Sequence, residues 1–368
     1  PVKAYEILAA GKPLVSVPLP EMALLQPLVR LASTPAEFGE QISAALEDGD
    51  WRRVSERRSF ARENTWESRL ATLAPRVADA FPRVSVVVVT YNNLDMTRRC
   101  VESLYASTEW PNFEVIVVDN ASSDGTPDYL RDEEKVRPNF EAILNTENTG
   151  FSRACNQGLL RAAGEYLVLL NNDTVVSRGW LSALVRHLRR DPTIGIIGPV
   201  TNAIGNEAMI PVGYDDVGEM PRWAAAFVRD HDGESFDISM LAMFCVAMRR
   251  SVYEEVGPLD ERFGVGMFED DDYSLRMRQA GFRVVCAEDS FVHHWMKAAF
   301  SRLSPVDYQN LFERNRGLFE EKWGTVWTPH SARKSDSGEN SGNGNAEGPG
   351  HTALETARPA AAVGRETQ

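Results

Sequence analysis

The feature that most constrains the fold is a short apolar run that ends in polar residues. Tyr166 to Leu170 carries only large apolar or aromatic side chains, and Asn171-Asn172-Asp173 comes directly after it. The run is too short for a membrane span and lacks helical spacing, so it predicts a parallel strand buried on both faces. Open α/β sheets bind ligands at the carboxyl ends of such strands. Oxygen-bearing side chains at that end suit a divalent cation, because hard cations prefer oxygen ligands.

From Arg83 the chain alternates between predicted strands and predicted helices. Strands are predicted at 84–91, 113–120, 140–145, 165–173, 194–200, 240–248 and 282–287, the last leading to Phe291–Trp295, with helices between most of them. Such units predict right-handed crossovers and an α/β fold with a mostly parallel sheet. Residues 201–235 lack a clear period and are expected to form a long loop or lid.

The chain divides by composition into three predicted parts. Residues 1–81 predict short helices and strands of their own, including one helix from Trp51 to about Ala74. Residues 82–328 hold the alternating pattern. Residues 329–368 are rich in Ser, Gly, Asn, Glu and Ala, which is typical of a disordered tail.

Charge and cysteine usage exclude several classes of function. The formal net charge of −14 argues against a nucleic-acid-binding surface, which needs clustered Lys and Arg. The four cysteines lie far apart without a Cys-x-x-Cys pair, which favours buried free thiols in a reducing cytoplasm. No apolar run reaches the roughly 20 residues of a membrane helix, and no signal peptide opens the chain. Because residue 1 is Pro, we expect a processed or partial product.

Polar residues that could bind a ligand or take part in catalysis recur at one predicted sheet edge. In chain order they are Asp119, Asn148-Thr149-Gly150, Asn171-Asn172-Asp173, Glu269-Asp270-Asp271-Asp272 and His293-His294. Each alone has a structural explanation as a cap or a favourable helix terminus. Four successive acids repel one another, however, so one of them is expected to hold its proton more tightly and to serve as a general base, unless a cation compensates.

Taken together, these motifs resemble the inverting family-2 glycosyltransferases of the GT-A fold over roughly residues 83–300. The resemblance rests on Val86–Asn92, Val115–Thr126, Asn148-Thr149-Gly150 with Asn156 and Gly158, Leu169–Thr174, and Glu269–Asp272 with Arg276 and Gly281. It is nearest the rhamnosyltransferase and galactofuranosyltransferase-like branch, and it implies a GT-A nucleotide-diphospho-sugar transferase fold.

The resemblance also implies roles for individual residues. The nucleotide would be bordered by Thr90, Tyr91, Asp119, Asn148, Arg153 and Asn172. Asp173 would bind Mg or Mn together with His293 or His294, and Asp270, beside Glu269, would be the catalytic base. Asn171 departs from the family's Asp-x-Asp element, which removes one charge from the cation site. Arg153 is an alternative counter-charge for the diphosphate.

The first 81 residues resemble a different family, the closing part of a GT-B glycosyltransferase domain of the family-4 type. The matching residues are Pro1–Glu6, Ala9–Ser16, Phe60-Ala61 and Thr65-Trp66. In that family the counterpart of Glu6 handles the donor. Its partner and most of that domain would precede Pro1, so this region is expected to be a remnant without catalysis.

The sequence therefore predicts an inverting, metal-dependent transferase of cell-surface glycan synthesis. Its donor would be a UDP- or dTDP-sugar, and its acceptor a saccharide or a lipid-linked glycan, with peripheral membrane association left open. Two alternatives remain. A nucleotidyltransferase lacks support because Thr90-Tyr91-Asn92-Asn93 stands where a Gly-rich, Lys-containing loop is needed. A catalytically impaired sugar-nucleotide-binding or scaffold module is favoured by Asn171.

Overall fold

The computed structural model describes residues 2–296 and 304–333, except for the side chains of 78 and 79. Residues 2–80 form helices and a two-stranded parallel sheet. Their elements are α1 (Val2–Ala9), β1 (Leu14–Ser16), α2 (Pro20–Ala23), β2 (Val29–Leu31), α3 (Pro35–Leu46), α4 (Trp51–Glu63) and α5 (Trp66–Ala80). A small core of their own holds these elements together, with Ala4 and Leu8 of α1 packed near Val29 of β2.

The single helix predicted from Trp51 to Ala74 is wrong, because two helices occupy this stretch. The first ends at Glu63, and Asn64 adopts a non-helical conformation. The hydroxyl of Thr65 then accepts a hydrogen bond from the amide of Ser68 and starts a new helix. Amphipathic spacing continues across this break, whereas a capping threonine marks it.

The remaining elements surround one large sheet. The strands are β3 (Val84–Thr90), β4 (Phe113–Asp119), β5 (Phe140–Leu144), β6 (Tyr166–Asn171), β7 (Thr174–Val176), β8 (Ile194–Val200), β9 (Ser235–Asp237), β10 (Cys245–Arg249) and β11 (Arg283–His294). The helices are α6 (Leu94–Ser107), α7 (Thr126–Val136), α8 (Phe151–Arg161), α9 (Trp180–Arg190), α10 (Met220–Asp230), α11 (Arg250–Val256), α12 (Glu269–Gln279) and α13 (Pro305–Trp323).

Within the described residues the sheet has the strand order β5-β4-β3-β6-β10-β8-β11-β7, with β9 paired to β11. Strands β5, β4, β3 and β6 are mutually parallel, and β8 and β11 run in the same direction. Strands β7, β9 and β10 run in the opposite direction. The predicted parallel sheet is thus present in its first half and becomes mixed in its second half.

Apolar side chains cover both faces of this sheet. Alternate residues of β3 enter two different buried clusters: Val86 and Val88 pack on one face with α6, and Val87 packs on the other with α8. Burial on both faces explains why these strands are mainly apolar in sequence and do not alternate between apolar and polar residues. The polar residues are left for the strand ends, which is where the candidate site lies.

Three predictions for the second half need correction. Residues 201–235 are not one irregular loop, since a short 3₁₀ turn and α10 occupy 217–230. The strand predicted at 165–173 ends at Asn171 as β6, and a turn at Asn172-Asp173 leads into β7, a strand that was not predicted. The segments 282–287 and 291–295 belong to one strand, β11, with a bulge between Ala287 and Phe291.

Two further expectations concern the membrane and the tail. No described helix has both the length and the apolar character needed to cross a membrane. The predicted disordered tail, 329–368, lies outside the described residues from 334 onward. Its first residues are described and packed, because His330 contacts Asp271 and Arg333 pairs with Glu288.

Candidate active site

The turn between β6 and β7 places two of its polar residues in different surroundings. The Asn172 side chain points into the protein and donates to the hydroxyls of Thr90 (3.1 Å) and Thr97 (3.0 Å). Those hydroxyls are also 2.7 Å apart and buried. Thr90 and Asn172 were both expected at the nucleotide. Their side chains instead form a buried hydrogen-bond network that connects the ends of β3 and β6 to α6.

Asp119, at the end of β4, is almost fully buried and only partly satisfied. One carboxylate oxygen accepts from the amide of Ser122 at 3.0 Å. The other, Oδ1, is buried without a hydrogen-bond partner among the described residues. Burial is the main reason that the pKa of this carboxyl is raised. A buried acceptor that lacks a partner suits a donor group on a ligand, because leaving it unpaired costs free energy.

The neighbouring residue Asn120, to which the sequence assigned no role, organises the predicted nucleotide loop. Its amide group donates to Oδ1 of Asn148 at 2.9 Å and to the carbonyl of Gly150 at 3.0 Å. Its own oxygen accepts from the amide and hydroxyl of Thr149. The position of Asn120 directly after a strand-end aspartate was the available sequence signal.

Two other expected nucleotide contacts lie on the protein surface. Tyr91 is 47% exposed just beyond the end of β3, next to the Asp119 strand. Arg153 is exposed on the first turn of α8, and it does not line the cleft that opens between β6 and α12. The structure thus keeps Tyr91 and Asn148 accessible at the same sheet edge as Asp119.

Gly150 joins this loop to a distant part of the chain. Its φ angle of +87° lies in the region that favours glycine, and an added Cβ would lie 2.4 Å from the carbonyl oxygen of Gly264. The next amide, that of Phe151, donates to the same oxygen at 2.8 Å. The loop before α8 and the loop before α12 are therefore in direct backbone contact.

A cleft of about 270 Å³ opens beside this contact at the carboxyl edge of the sheet. Its polar lining consists of Asn171, Asp173, Glu269, Asp270 and His294. Apolar side chains supply most of the remaining wall. They are Phe151, Ile204, Ala242, Met243, Phe244, Val265, Met267 and Met296.

Within the cleft, the side chains of Asp173 and His294 face each other. Nδ1 of His294 lies 3.0 Å from the carbonyl oxygen of Ala203, which can only accept, so Nδ1 carries the proton. In the neutral ring Nε2 then offers a lone pair, and it lies 3.4 Å from Oδ1 of Asp173. Two converging lone pairs fit a shared cation, and the Ala203 contact fixes the tautomer that a metal ligand requires.

Asn171 also lines this cleft. Its Oδ1 is buried and has no hydrogen-bond partner among the described residues. An amide oxygen is a normal ligand for a hard cation. The residue that departs from the family's acidic pattern therefore still offers an oxygen beside Asp173.

The two adjacent histidines, which the sequence could not distinguish, have different surroundings. His293 is hydrogen-bonded through Nδ1 to the Tyr214 hydroxyl at 2.7 Å and packs against Trp295. Burial, aided by the neighbouring His294, lowers its pKa to about 4, so it is neutral. His294 stacks on Phe244 and lines the cleft. The structure brings His294, and not His293, to Asp173.

Asp270 and Glu269 open α12 at the floor of the cleft. Neither is within ion-pair distance of a described cation. Burial, with the charge of Asp271, raises the pKa of Asp270 to about 7. Burial, with the charges of Asp270 and Asp271, also raises the pKa of Glu269 well above its usual range. Asp270 is thus the acid of this pair that can exchange a proton near neutrality.

The loop before α12 is strained and braced from α13. Met267 and Phe268 both have positive φ angles, 74° and 72°, which is unfavourable for such side chains. The fully buried Asn315 donates to the carbonyls of Phe263 and Gly266, each at 2.8 Å, and lies 3.1 Å from that of Met267. This brace fixes the start of α12, and nothing in the local sequence indicated it.

Comparison with known proteins relates part of the chain to one family. Residues 85–257 match the family described as Glycosyl transferase family 2. This part of the chain is therefore similar to glycosyltransferase family 2 domains. The match and the observed sheet confirm the predicted α/β fold of GT-A type.

Relatives of this domain occur in bacteria and archaea. The O-antigen biosynthesis protein RfbC of Myxococcus xanthus is 30% identical over 260 residues, which are 68% of this chain and 20% of RfbC. The N-acetylglucosaminyl-diphospho-decaprenol L-rhamnosyltransferase of Mycobacterium tuberculosis is 26% identical over 57% of this chain and 75% of that protein. The chain thus spans about a fifth of the first of these relatives.

Solved structures resemble it more distantly. The mannosyltransferase PcManGT from Pyrobaculum calidifontis, in complex with GDP-Man and Mn²⁺, is 22% identical with a TM-score of 0.48, over 67% of this chain and 66% of that chain. GalNAc-T7 with UDP, GalNAc and Mn²⁺ is 20% identical with a TM-score of 0.48, over 58% of this chain and 44% of that chain.

Proposed function

We propose that the domain transfers a sugar from a nucleoside-diphosphate sugar to an acceptor hydroxyl, with inversion at the anomeric carbon. The observation that carries this proposal is the joint position of Asp270 and Asp173 in one cleft of about 270 Å³. A group able to accept a proton near neutrality and a group able to hold a cation are the two requirements of such a displacement.

In the proposed reaction Asp270 acts as the base. Its carboxylate takes the proton from the acceptor hydroxyl while that oxygen attacks the anomeric carbon. The bond from that carbon to the diphosphate oxygen breaks, and its electron pair leaves with the nucleoside diphosphate. Attack opposite to the leaving group in a single step inverts the configuration. A protonated Glu269 would keep the charge at the cleft floor low enough for Asp270 to ionise, and burial, which raises the pKa of Glu269, favours that form.

The cation would be held by Asp173, by Nε2 of His294 and by the amide oxygen of Asn171. These groups fit it because they are acceptors that face a common space and because the His294 tautomer is fixed. A bound Mg or Mn would supply neutralisation of the charge that develops on the leaving diphosphate. The ligand set of two oxygen groups and one imidazole suits either metal.

The nucleoside would lie at the parallel half of the edge, against Tyr91, Asp119 and Asn148. Asp119 contributes a buried acceptor without a partner among the described residues, and Tyr91 contributes an exposed ring. These features suit the hydrogen-bonding edge and the flat face of a base or the hydroxyls of a ribose. We propose a UDP- or dTDP-sugar as donor.

For the acceptor we propose a saccharide carried on a lipid, in the synthesis of a cell-surface polysaccharide. The apolar wall of the cleft, with Met243, Met267 and Met296, suits an acceptor that is partly apolar. The relatives named for O-antigen biosynthesis and for rhamnosyl transfer to a decaprenol-linked sugar support this class. Such an acceptor would bring the protein to a membrane surface.

For residues 2–80 we propose a structural role, as part of a GT-B-type domain. The parallel pairing of β1 with β2 and the packing of α1 near β2 support this interpretation. Glu6 is exposed beside Tyr5 and Trp66 in a separate cavity, and among the residues described there Glu67 is its only neighbouring acid.

The test is release of nucleoside diphosphate from a panel of UDP-, dTDP- and GDP-sugars with MnCl₂, using octyl glycosides as acceptors. Turnover of at least one donor, with an inverted product by NMR, is the expected result. Binding of UDP or dTDP without any turnover would instead support the alternative that Asn171 favours, a sugar-nucleotide-binding module. Absence of both binding and turnover across the panel would overturn the proposal.

A further inference from the structure

The four acids that open α12 have two different kinds of surroundings. Glu269 and Asp270 line the cleft. Asp272 is fully buried and pairs with Lys322 at 2.5 Å and with Arg276 at 3.3 Å. Asp271 faces a second cavity of about 310 Å³, whose lining shares no residue with that of the cleft. The run therefore divides into two acids that face the proposed reaction and two that face α13 and the residues after it.

Asp271 is held by the segment after α13, which we call the C-terminal strap, residues 324–333. The indole Nε1 of Trp327 donates to Oδ1 of Asp271 at 3.1 Å. Nε2 of His330 lies 2.8 Å from the same oxygen. An imidazole that faces a carboxylate at this distance is stabilised in its charged form. Burial opposes that charge, but Asp271 and Asp270 together outweigh it and raise the pKa of His330.

The strap is anchored on its other side as well. Arg333 pairs with Glu288 of β11 at 2.9 Å and donates to the carbonyl of Glu207 at 3.1 Å. Phe268, which immediately precedes the acid run, packs against Trp327 at 5.3 Å between ring centroids. The strap thus lies outside residues 85–257 in sequence and directly behind the acid run in space.

We propose that His330 and Trp327 are positioning residues for the transfer reaction: they hold the Asp271 carboxylate away from the cleft and offset its charge, so that of these two adjacent aspartates only Asp270 presents its carboxylate to the acceptor. The inference rests on the function proposed above. It extends the site to the strap, which the family match does not include.

The electrostatics of the surrounding groups agree with this assignment. Asp271 repels a charge on Asp270, and His330 favours one. The other groups that face Asp270 are Glu269 on α12 and, across the cleft, Asp173 and His294. Around His330 the charged groups are Asp270, Asp271, Glu207 and Arg278, the last on the wall of the second cavity. Removing the His330 charge therefore leaves Asp271 uncompensated beside Asp270.

The test compares His330→Gln with the full chain by the pH dependence of nucleoside diphosphate release. Glutamine keeps a hydrogen-bond donor but removes the charge, so we expect the acidic limb of the profile to move to higher pH by about half a unit to one unit. The plateau at high pH should be retained. Trp327→Phe, which removes only the indole donor, is expected to move the limb in the same direction by less.

Arg333→Gln is the matched control, since it loosens the same strap at its Glu288 anchor without touching Asp271. The acidic limb of the pH profile of this variant should stay in place. A merely structural strap would lower turnover equally at every pH in all three variants, and this result would overturn the inference. So would an unmoved limb in His330→Gln.

A second measurement separates this inference from the proposed function. The Asp270 carboxyl can be titrated by ¹³C NMR in Asp-labelled protein, with Asp270→Asn used to assign the signal. If the chain shows no transfer but the Asp270 titration still moves to higher pH in His330→Gln, the function fails and the placement of the strap stands. An unmoved titration in an active enzyme overturns the inference alone.

Discussion

The two halves of the sheet edge are built in different ways. The parallel half, formed by β5, β4, β3 and β6, ends in short loops whose polar groups mostly bond to one another, as Asn120 does with Asn148 and Thr149. The mixed half, formed by β10, β8, β11 and β7, ends in groups that face one another across the cleft, as His294 and Asp173 do.

The parallel half is thus a preformed support, and the mixed half is the reactive surface. Satisfied hydrogen bonds make the nucleotide side rigid before any ligand binds, and the second oxygen of Asp119 is left to make a new bond. In the mixed half, burial and the charge of Asp271 raise the pKa of Asp270 to about 7. We infer that binding strength comes mainly from the first half and chemistry mainly from the second.

The largest expected effect is that of Asp270→Asn. The amide cannot accept the acceptor proton, so turnover should fall by about 10²-fold to 10⁴-fold. Affinity for UDP or dTDP, measured by calorimetry, should not change, because the nucleotide side of the edge is intact. In the unaltered chain turnover should rise as the pH increases through about 7, where Asp270 becomes ionised.

Asp230→Asn, an exposed acid on α10, is the control for loss of one negative charge. Turnover in Asp270→Asn equal to that of this control would remove Asp270 from the mechanism. Loss of nucleotide affinity together with turnover would mean that the two halves of the edge are not separable in the way described.

A smaller effect is expected from substitutions of the adjacent histidines. These substitutions test where the cation binds. His294→Ala removes a proposed direct ligand that faces Asp173, so affinity for Mn²⁺ in the presence of UDP should fall at least about 100-fold, the upper end of what loss of an outer-shell partner costs. His293→Gln keeps a polar group beside Tyr214 and should leave Mn²⁺ affinity within about twofold. Equal Mn²⁺ affinities in the two variants, measured by calorimetry, would show that the cation does not bind at Asp173 and His294.

The smallest effect is expected in the parallel half, from Asp119→Asn. The asparagine oxygen can still accept from Ser122, but an NH₂ group replaces the unpaired oxygen, so one ligand contact is lost. Nucleotide affinity should fall about 10-fold to 100-fold, the equivalent of one charge-assisted hydrogen bond. Asp128→Asn, exposed on α7, is the control. An affinity equal to that of the control would mean that this oxygen does not face the nucleotide.

The sequence predicted the parallel half well, because its information is local. Each strand there is mainly apolar and has a polar residue at or just after its end, and each helix comes after a short loop. Asp119 and Asn148 could be placed at one edge because parallel strands end together. Family motifs identified Asp173 and Asp270 in the same way, although their roles remain proposals.

The features that the sequence could not provide depend on contacts between distant residues. Thr90 and Asn172 occupy motif positions, but only packing against Thr97 shows that their side chains point inward. Asn315, His330 and Trp327 act on residues about 50 or more positions away. The choice between His293 and His294 depends on which face of β11 meets Asp173, which no local pattern specifies.

The contact between Gly150 and Gly264 limits how such an enzyme can diversify. A side chain at Gly150 would displace the backbone before α12, and an insertion near Gly264 would displace the loop of Asn148. Changes to acceptor preference made at this point would therefore also disturb donor binding. New acceptor specificities would arise more readily from the other walls of the cleft, around Ile204, Met243 and Met296, which can vary without moving either glycine.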